Sequence, residues 1–237
     1  MSAPPPVVAR FRDMARRERF PARYNGWLHI AFTTALCLGT ITLAATRLRV
    51  VQPLEWLTIP VTFLIANLGE YLGHRGPMHH PRRGLMKVYR RHTGEHHRFF
   101  TREAMYYASS RDFYMVLFPP VLQIFFLGGI AAPLSLLAFL LFTANVGWLF
   151  VASVMGYYFV YEILHFSHHL SPDGPLGRTR LLAWLRQHHA LHHDPRFMLR
   201  ANYNISFPIC DWLFGTALST DEADASRDST EKGPEVP

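Results

Sequence analysis

All but one of the chain's 14 histidines fall into four short groups: Glu70 to His80, His92 to His97, Glu162 to His169 and His188 to His193. Neutral imidazole is the commonest biological metal ligand. At this density, and with Cys37 and Cys210 as the only cysteines, the groups suit a redox pair of irons better than a structural zinc.

The spacing within each group says which rings can share an ion. His74 and His79 lie about 140° apart around a helix, so a helix ending near His74 and a turn at Gly76-Pro77 are needed to fold His79 back beside it. His92 and His96 share a helical face, and the adjacent His97 can reach a second ion. Glu162, His165 and His169 repeat a carboxylate-to-histidine spacing used by helix-bundle di-metal proteins, with His168 beside the site or at the surface. His189, His192 and His193 form a compact three-ligand stripe. His29, alone in an apolar stretch, reads as a hydrogen-bonded core histidine. Glu70, Glu162, Asp194 and Asp211 are candidates for orienting imidazoles or bridging ions, and Asp211 equally suits a helix cap.

These groups bracket four stretches long and apolar enough to cross a bilayer: about Trp27 to Thr46, Trp56 to Leu72, Tyr114 to Ala132 and Leu134 to Leu164. A mean hydropathy of only +0.05 hides this split between nearly uncharged segments and segments crowded with Arg and His. The expected fold is therefore all-α: an integral membrane protein with about four transmembrane helices in two hairpins and a cytoplasmic helical cap that carries the histidine-rich di-metal site. Residues 1–25 read as a basic cytoplasmic segment, 26–218 as the membrane-bound domain, and 219–237, free of aromatic residues, as a disordered tail.

Composition also excludes. Two cysteines allow no disulfide framework, four-cysteine zinc site or iron–sulfur cluster within one chain. The net charge of +7 has a membrane explanation: six Lys or Arg lie in Arg10 to Arg23 and nine in Gly73 to Phe113, which places the N-terminus and the histidines on the cytoplasmic side. No nucleic-acid module is visible. Transport of metal is disfavoured, because apart from His29 the ionisable residues lie at span ends.

The order His-x4-His, His-x3-His-His, His-x3-His and His-x2-His-His, interleaved with membrane hairpins, resembles the fatty acid hydroxylase superfamily, which includes sterol desaturases and carotenoid hydroxylases. The likeness runs from about Trp56 to Thr216. It includes Glu70-Tyr71, His74-Arg75, Asn202-Tyr-Asn204 and the closing Asp211-Trp-Leu-Phe-Gly-Thr216, with Cys210 where the family usually has tryptophan. The resemblance implies ten metal ligands, His74, His79, His92, His96, His97, His165, His169, His189, His192 and His193, all but His92 also assigned to catalysis. Three residues separate His92 from His96, where the related acyl 2-hydroxylases have two.

What the resemblance implies is an oxygenase that hydroxylates a lipid C–H bond, foremost on a fatty acyl chain, using two iron ions and O2. Imidazole sites also accept zinc, so a purified sample can carry it. The substrate enters from the membrane, its polar end near Arg75, Arg90, Arg91 and Arg98. The chain holds no His-Pro-Gly-Gly haem segment, so electrons come from a separate ferredoxin or cytochrome b5-like donor. Sterol, carotenoid or headgroup substrates, and desaturation, remain alternatives on the same scaffold.

Overall fold

The computed structural model describes residues 3–174 and 178–231. Among the described residues its regular elements are all helices, with no strand. The main helices are α1 (Pro6–Glu18), α2 (Gly26–Arg47), α3 (Thr58–Gly73), α4 (86–99), α5 (120–141), α6 (Ala144–His168), α7 (Arg180–His192), α8 (Ile209–Leu213) and α9 (Thr220–Glu231). Contacts divide the chain into two units, one of residues 1–14, 70–106 and 167–237, the other of residues 15–69 and 107–166.

The second unit exposes many large apolar side chains and buries several polar ones among its apolar core. Trp27, Phe32, Leu38, Leu64, Val121, Phe125 and Leu140 are exposed, whereas Thr33, Asn67, Asp112 and Gln123 are buried. Water would favour the opposite arrangement, so the solvent this surface suits is hydrocarbon. Three helical stretches are long and apolar enough to cross a membrane: Gly26–Arg47, Ser110–Leu141 and Ala144–His168. The fourth expected stretch forms α3, whose 16 residues amount to about 24 Å, short of a hydrocarbon core of about 30 Å.

Local chemistry sets the ends of these helices. The Asn25 side chain accepts hydrogen bonds from the Trp27 and Leu28 amides and so starts α2. The break between the last two apolar stretches does not fall at Pro133. A widened π turn at Leu127–Ala131 takes up the hydrogen bond that the proline cannot donate, and α5 runs on to Leu141. The chain turns instead at Phe142, and Thr143 Oγ1 caps α6 through the Val146 amide. Glu55 fastens this turn, accepting hydrogen bonds from Thr143 Oγ1 and Asn145 Nδ2. A β-carbon at Gly147 would fall 2.3 Å from the Phe139 ring, so glycine is what lets α5 and α6 approach so closely after the turn.

In the first unit α3 ends in a π turn at His74–Met78, and Gly76 leaves helical geometry at φ −86°, ψ −105°. This is the fold-back expected at Gly-Pro. The α4 helix likewise widens over Arg90–His96. The segment expected to be a disordered tail carries α9, whose Ala223 is fully buried against Leu191, Phe197 and Ala201. Residues 232–237 of that expected tail lie outside the described residues.

Candidate metal centre

The ten candidate histidines are all buried, none more than 9% exposed. Their rings gather into two groups. In the first, one ring nitrogen from each of His74, His79, His92, His97 and His192 lies within 4.8 Å of all the others. The second brings together His96, His169 and His189 on the same criterion. His193 joins it with its Nε2 3.2 Å from that of His96 and 3.0 Å from that of His189. His165 stands one turn before His169, which directly follows the last residue of α6.

Which nitrogen faces inward is decided by the other one. The Nδ1–H groups of His74, His169, His192 and His193 donate to the backbone carbonyls of Tyr203, Met105, Ala201 and Phe100. A carbonyl only accepts, so Nδ1 carries the proton and Nε2 presents a lone pair. His79 follows the same rule through Thr93, whose hydroxyl donates to the Met78 carbonyl and leaves its oxygen to accept from His79 Nδ1.

These lone pairs point at one another. His79 Nε2 is 2.8 Å from His192 Nε2, His74 Nε2 is 2.8 Å from His92 Nε2, and His92 Nε2 is also 3.0 Å from His97 Nε2 and 3.2 Å from His79 Nε2. One proton on His92 can satisfy at most one of these contacts. Lone pairs held so close repel unless a cation stands among them, and nitrogens about 2.1 Å from a shared ion, set at right angles, would be about 3.0 Å apart. The donor set therefore fits metal ions. Burial also holds the rings neutral, as ligands must be: it lowers the pKa of His74 to about 4 and that of His79, with help from neighbouring His74, to about 2. Burial places His92, His97, His192 and His193 well below the ordinary value.

The carboxylates do not orient ligands in the way their spacing suggested. Glu70 accepts from the Ile205 and Ser206 amides and the Ser206 hydroxyl, tying the end of α3 to the buried 201–206 segment. Asp211 is more than a helix cap. It accepts from the Tyr203 amide at 2.9 Å, the Asn204 amide at 2.7 Å and Thr216 Oγ1 at 2.7 Å, and His188 Nε2 is 3.4 Å away. Burial alone would raise its pKa, but those donors hold it below the ordinary value. Thus both acids fix the segment whose carbonyls aim His74 and His192. Asp194 instead pairs with Arg196 at 2.6 Å and Arg102 at 3.3 Å, which outweigh its burial and bring its pKa down to about 2. Glu162 accepts from the Tyr158 hydroxyl at 2.6 Å and the Phe118 amide at 3.2 Å.

Other expectations resolve as follows. His29 is the hydrogen-bonded histidine anticipated, with Nδ1 2.9 Å from the Tyr24 hydroxyl and Nε2 3.1 Å from the Phe118 carbonyl. His168 is not a surface residue: it is fully buried, its ring centroid 5.2 Å from that of His189. Arg75 donates to the Tyr71 hydroxyl, Arg91 pairs with Glu95, and Arg98 lies over the Phe11 ring. The 99–106 and 201–206 backbone segments were missed as parts of the centre. Asn202 gave the only sequence hint, a residue type that tolerates the left-handed backbone it adopts at φ 58°.

Comparison with known proteins agrees with this geometry. Residues 59–216 match the family model described as fatty acid hydroxylase. No curated protein sequence matches the chain. Among solved structures, one described as full-length Scs7p with only the hydroxylase domain visible superposes with a TM-score of 0.58 at 19% identity, covering 83% of this chain and 68% of that one. At that identity the likeness is one of fold.

Proposed function

The chain belongs to the fatty acid hydroxylase family, and from that premise we propose that it is a membrane-bound di-iron oxygenase that hydroxylates a C–H bond of a lipid, foremost on a fatty acyl chain. The observation that carries this reading is the convergence of neutral, buried Nε2 lone pairs in two groups. His74, His79, His92, His97 and His192 would hold one ion, and His96, His165, His169, His189 and His193 the other. Bound there, two irons would supply the oxidising power that no side chain has for inserting oxygen from O2 into an unactivated C–H bond.

The protein's own part is to position and to exclude. Backbone carbonyls fix the tautomer of His74, His169, His192 and His193, so the ligand nitrogens are set before any ion arrives. Burial of every ligand keeps bulk water from the reacting centre. The substrate is drawn from the bilayer that the apolar outer surface fits, and electrons come from a separate ferredoxin or cytochrome b5-like protein on the cytoplasmic side, a sidedness that the Lys and Arg excess around the histidines supports.

Comparative lipid mass spectrometry tests this on cells expressing the wild type or His189→Ala under labelled dioxygen. A lipid carrying one labelled oxygen in the wild type alone is the expected result, and its structure names the substrate class. A new lipid lacking two hydrogens and carrying no label would replace hydroxylation with desaturation. Identical lipids in wild type and variant would overturn the proposal.

A further inference from the structure

The amphipathic helix α1 lies outside residues 59–216, which carry the family match, yet one of its side chains reaches the metal centre's supports. Arg12 is 6% exposed. Its Nε donates to the Phe99 carbonyl at 2.7 Å, Nη1 to the Tyr106 carbonyl at 3.1 Å, and Nη2 to the Ala104 carbonyl. The guanidinium also lies over the Phe99 and Phe100 rings, 5.0 and 5.4 Å from their centroids. One planar fork thus holds both ends of the 99–106 segment.

The carbonyls between those three do a different job. Phe100 O accepts from His193 Nδ1 at 2.7 Å and Met105 O accepts from His169 Nδ1 at 2.8 Å. Phe99, Ala104 and Tyr106 face the arginine, while the adjacent Phe100 and Met105 face the histidines. Such alternation is what extended backbone provides, and Phe100 is extended at φ −114°, ψ 119°. A shift of this segment therefore turns two ligand rings of the second group together. The first group takes its carbonyls from Ala201 and Tyr203, outside the 99–106 segment that Arg12 holds.

We infer that Arg12 is a positioning residue for the second histidine group alone, setting the aim of His169 and His193 through the carbonyls of residues 99–106. The inference rests on the reading that the two groups hold metal ions. Lysine keeps the charge but cannot span three carbonyls, because its ammonium is a point charge without arginine's planar fork. Mutation of a group that orients a ligand typically costs about 10- to 100-fold in metal affinity.

The test measures metal per folded chain by elemental analysis, together with the visible spectrum of cobalt-loaded protein, for the full-length chain in detergent. The wild type, Arg12→Lys, Arg12→Gln and His189→Ala are compared after a chelator challenge, each read on its folded monodisperse fraction so that yield does not enter the ratio. The expected result is that the wild type keeps two ions and both Arg12 variants keep one, with the remaining spectrum matching that of His189→Ala. Adding Arg12→Lys to His189→Ala should then change nothing further. Two ions retained at wild-type affinity in the Arg12 variants, or equal loss from both groups, would overturn the inference while leaving the proposed function standing. Fewer than two ions in the wild type would overturn the proposed function itself, and the inference with it.

Discussion

Both units bury polar side chains, and they treat them in opposite ways. In the apolar unit the requirements close locally: His29 spends one nitrogen on the Tyr24 hydroxyl and the other on the Phe118 carbonyl, and Asp112 accepts from Arg16 through both oxygens at 2.8 Å. In the histidine unit His74, His192 and His193 each spend Nδ1 on a backbone carbonyl and leave Nε2 facing a neighbouring ring's Nε2. A burial percentage does not separate the two cases, because His29 and His97 are almost equally buried. The separating property is whether the second nitrogen has a partner other than another acceptor.

The largest effect that would sharpen this contrast is at a ligand. His192→Ala should lower metal content by one ion and bring hydroxylation down by at least about 100-fold, more than an orienting neighbour costs. Wild-type metal content in that variant would break the comparison. Asp211→Ala comes next, since it leaves the Tyr203 and Asn204 amides and the Thr216 hydroxyl without their acceptor. A stability loss of about 3 kcal/mol is expected in chemical denaturation. Chelator competition should meanwhile show weaker binding in the His74 and His192 group.

A pH effect of smaller size follows from the neutral rings. In the metal-free protein the folded pKa of His74 is about 4 against an ordinary 6.5, so between those values the unfolded chain binds more protons than the folded one. Stability is full above about pH 6.5 and falls as pH drops toward 4. Thermal melts at pH 7.5 and 5 should show the decline in metal-free protein and a smaller one with metal bound. A melt unaffected by pH would mean that folding leaves the rings at their ordinary pKa. The smallest effect belongs to His29→Gln, where losing one or two closed hydrogen bonds should cost about 1 kcal/mol. Elemental analysis should find its metal content unchanged, and loss of an ion there would erase the distinction between the two units.

Much of the centre is written in residue types, and much is not. Spacing alone pairs His74 with His79 across Gly76-Pro77 and stacks His165, His169, His189 and His193 at helical intervals, because imidazole can be recognised by its letter and helix geometry is regular. The supports are mostly carbonyl oxygens of Phe100, Met105, Ala201 and Tyr203, which every residue possesses, so no pattern of letters marks them. The helix boundary near Pro133 misleads for a related reason. A proline's missing donor can be absorbed by a π turn, and the weaker cap signal at Thr143 is the one that ends the hairpin. At α9 a polar composition concealed a single small residue, Ala223, placed to meet an apolar patch.

Aiming ligands with main-chain oxygens has a consequence for mutational tolerance. Replacing Phe100, Met105, Ala201 or Tyr203 alters what surrounds the centre but cannot delete the acceptor. An alanine scan of the molecule would therefore leave in place atoms as important as the ligands' immediate neighbours, and losses at Phe100, Met105 and Tyr203 would report their buried side chains instead. The sensitive substitutions at these positions are those that bend the path itself, proline foremost.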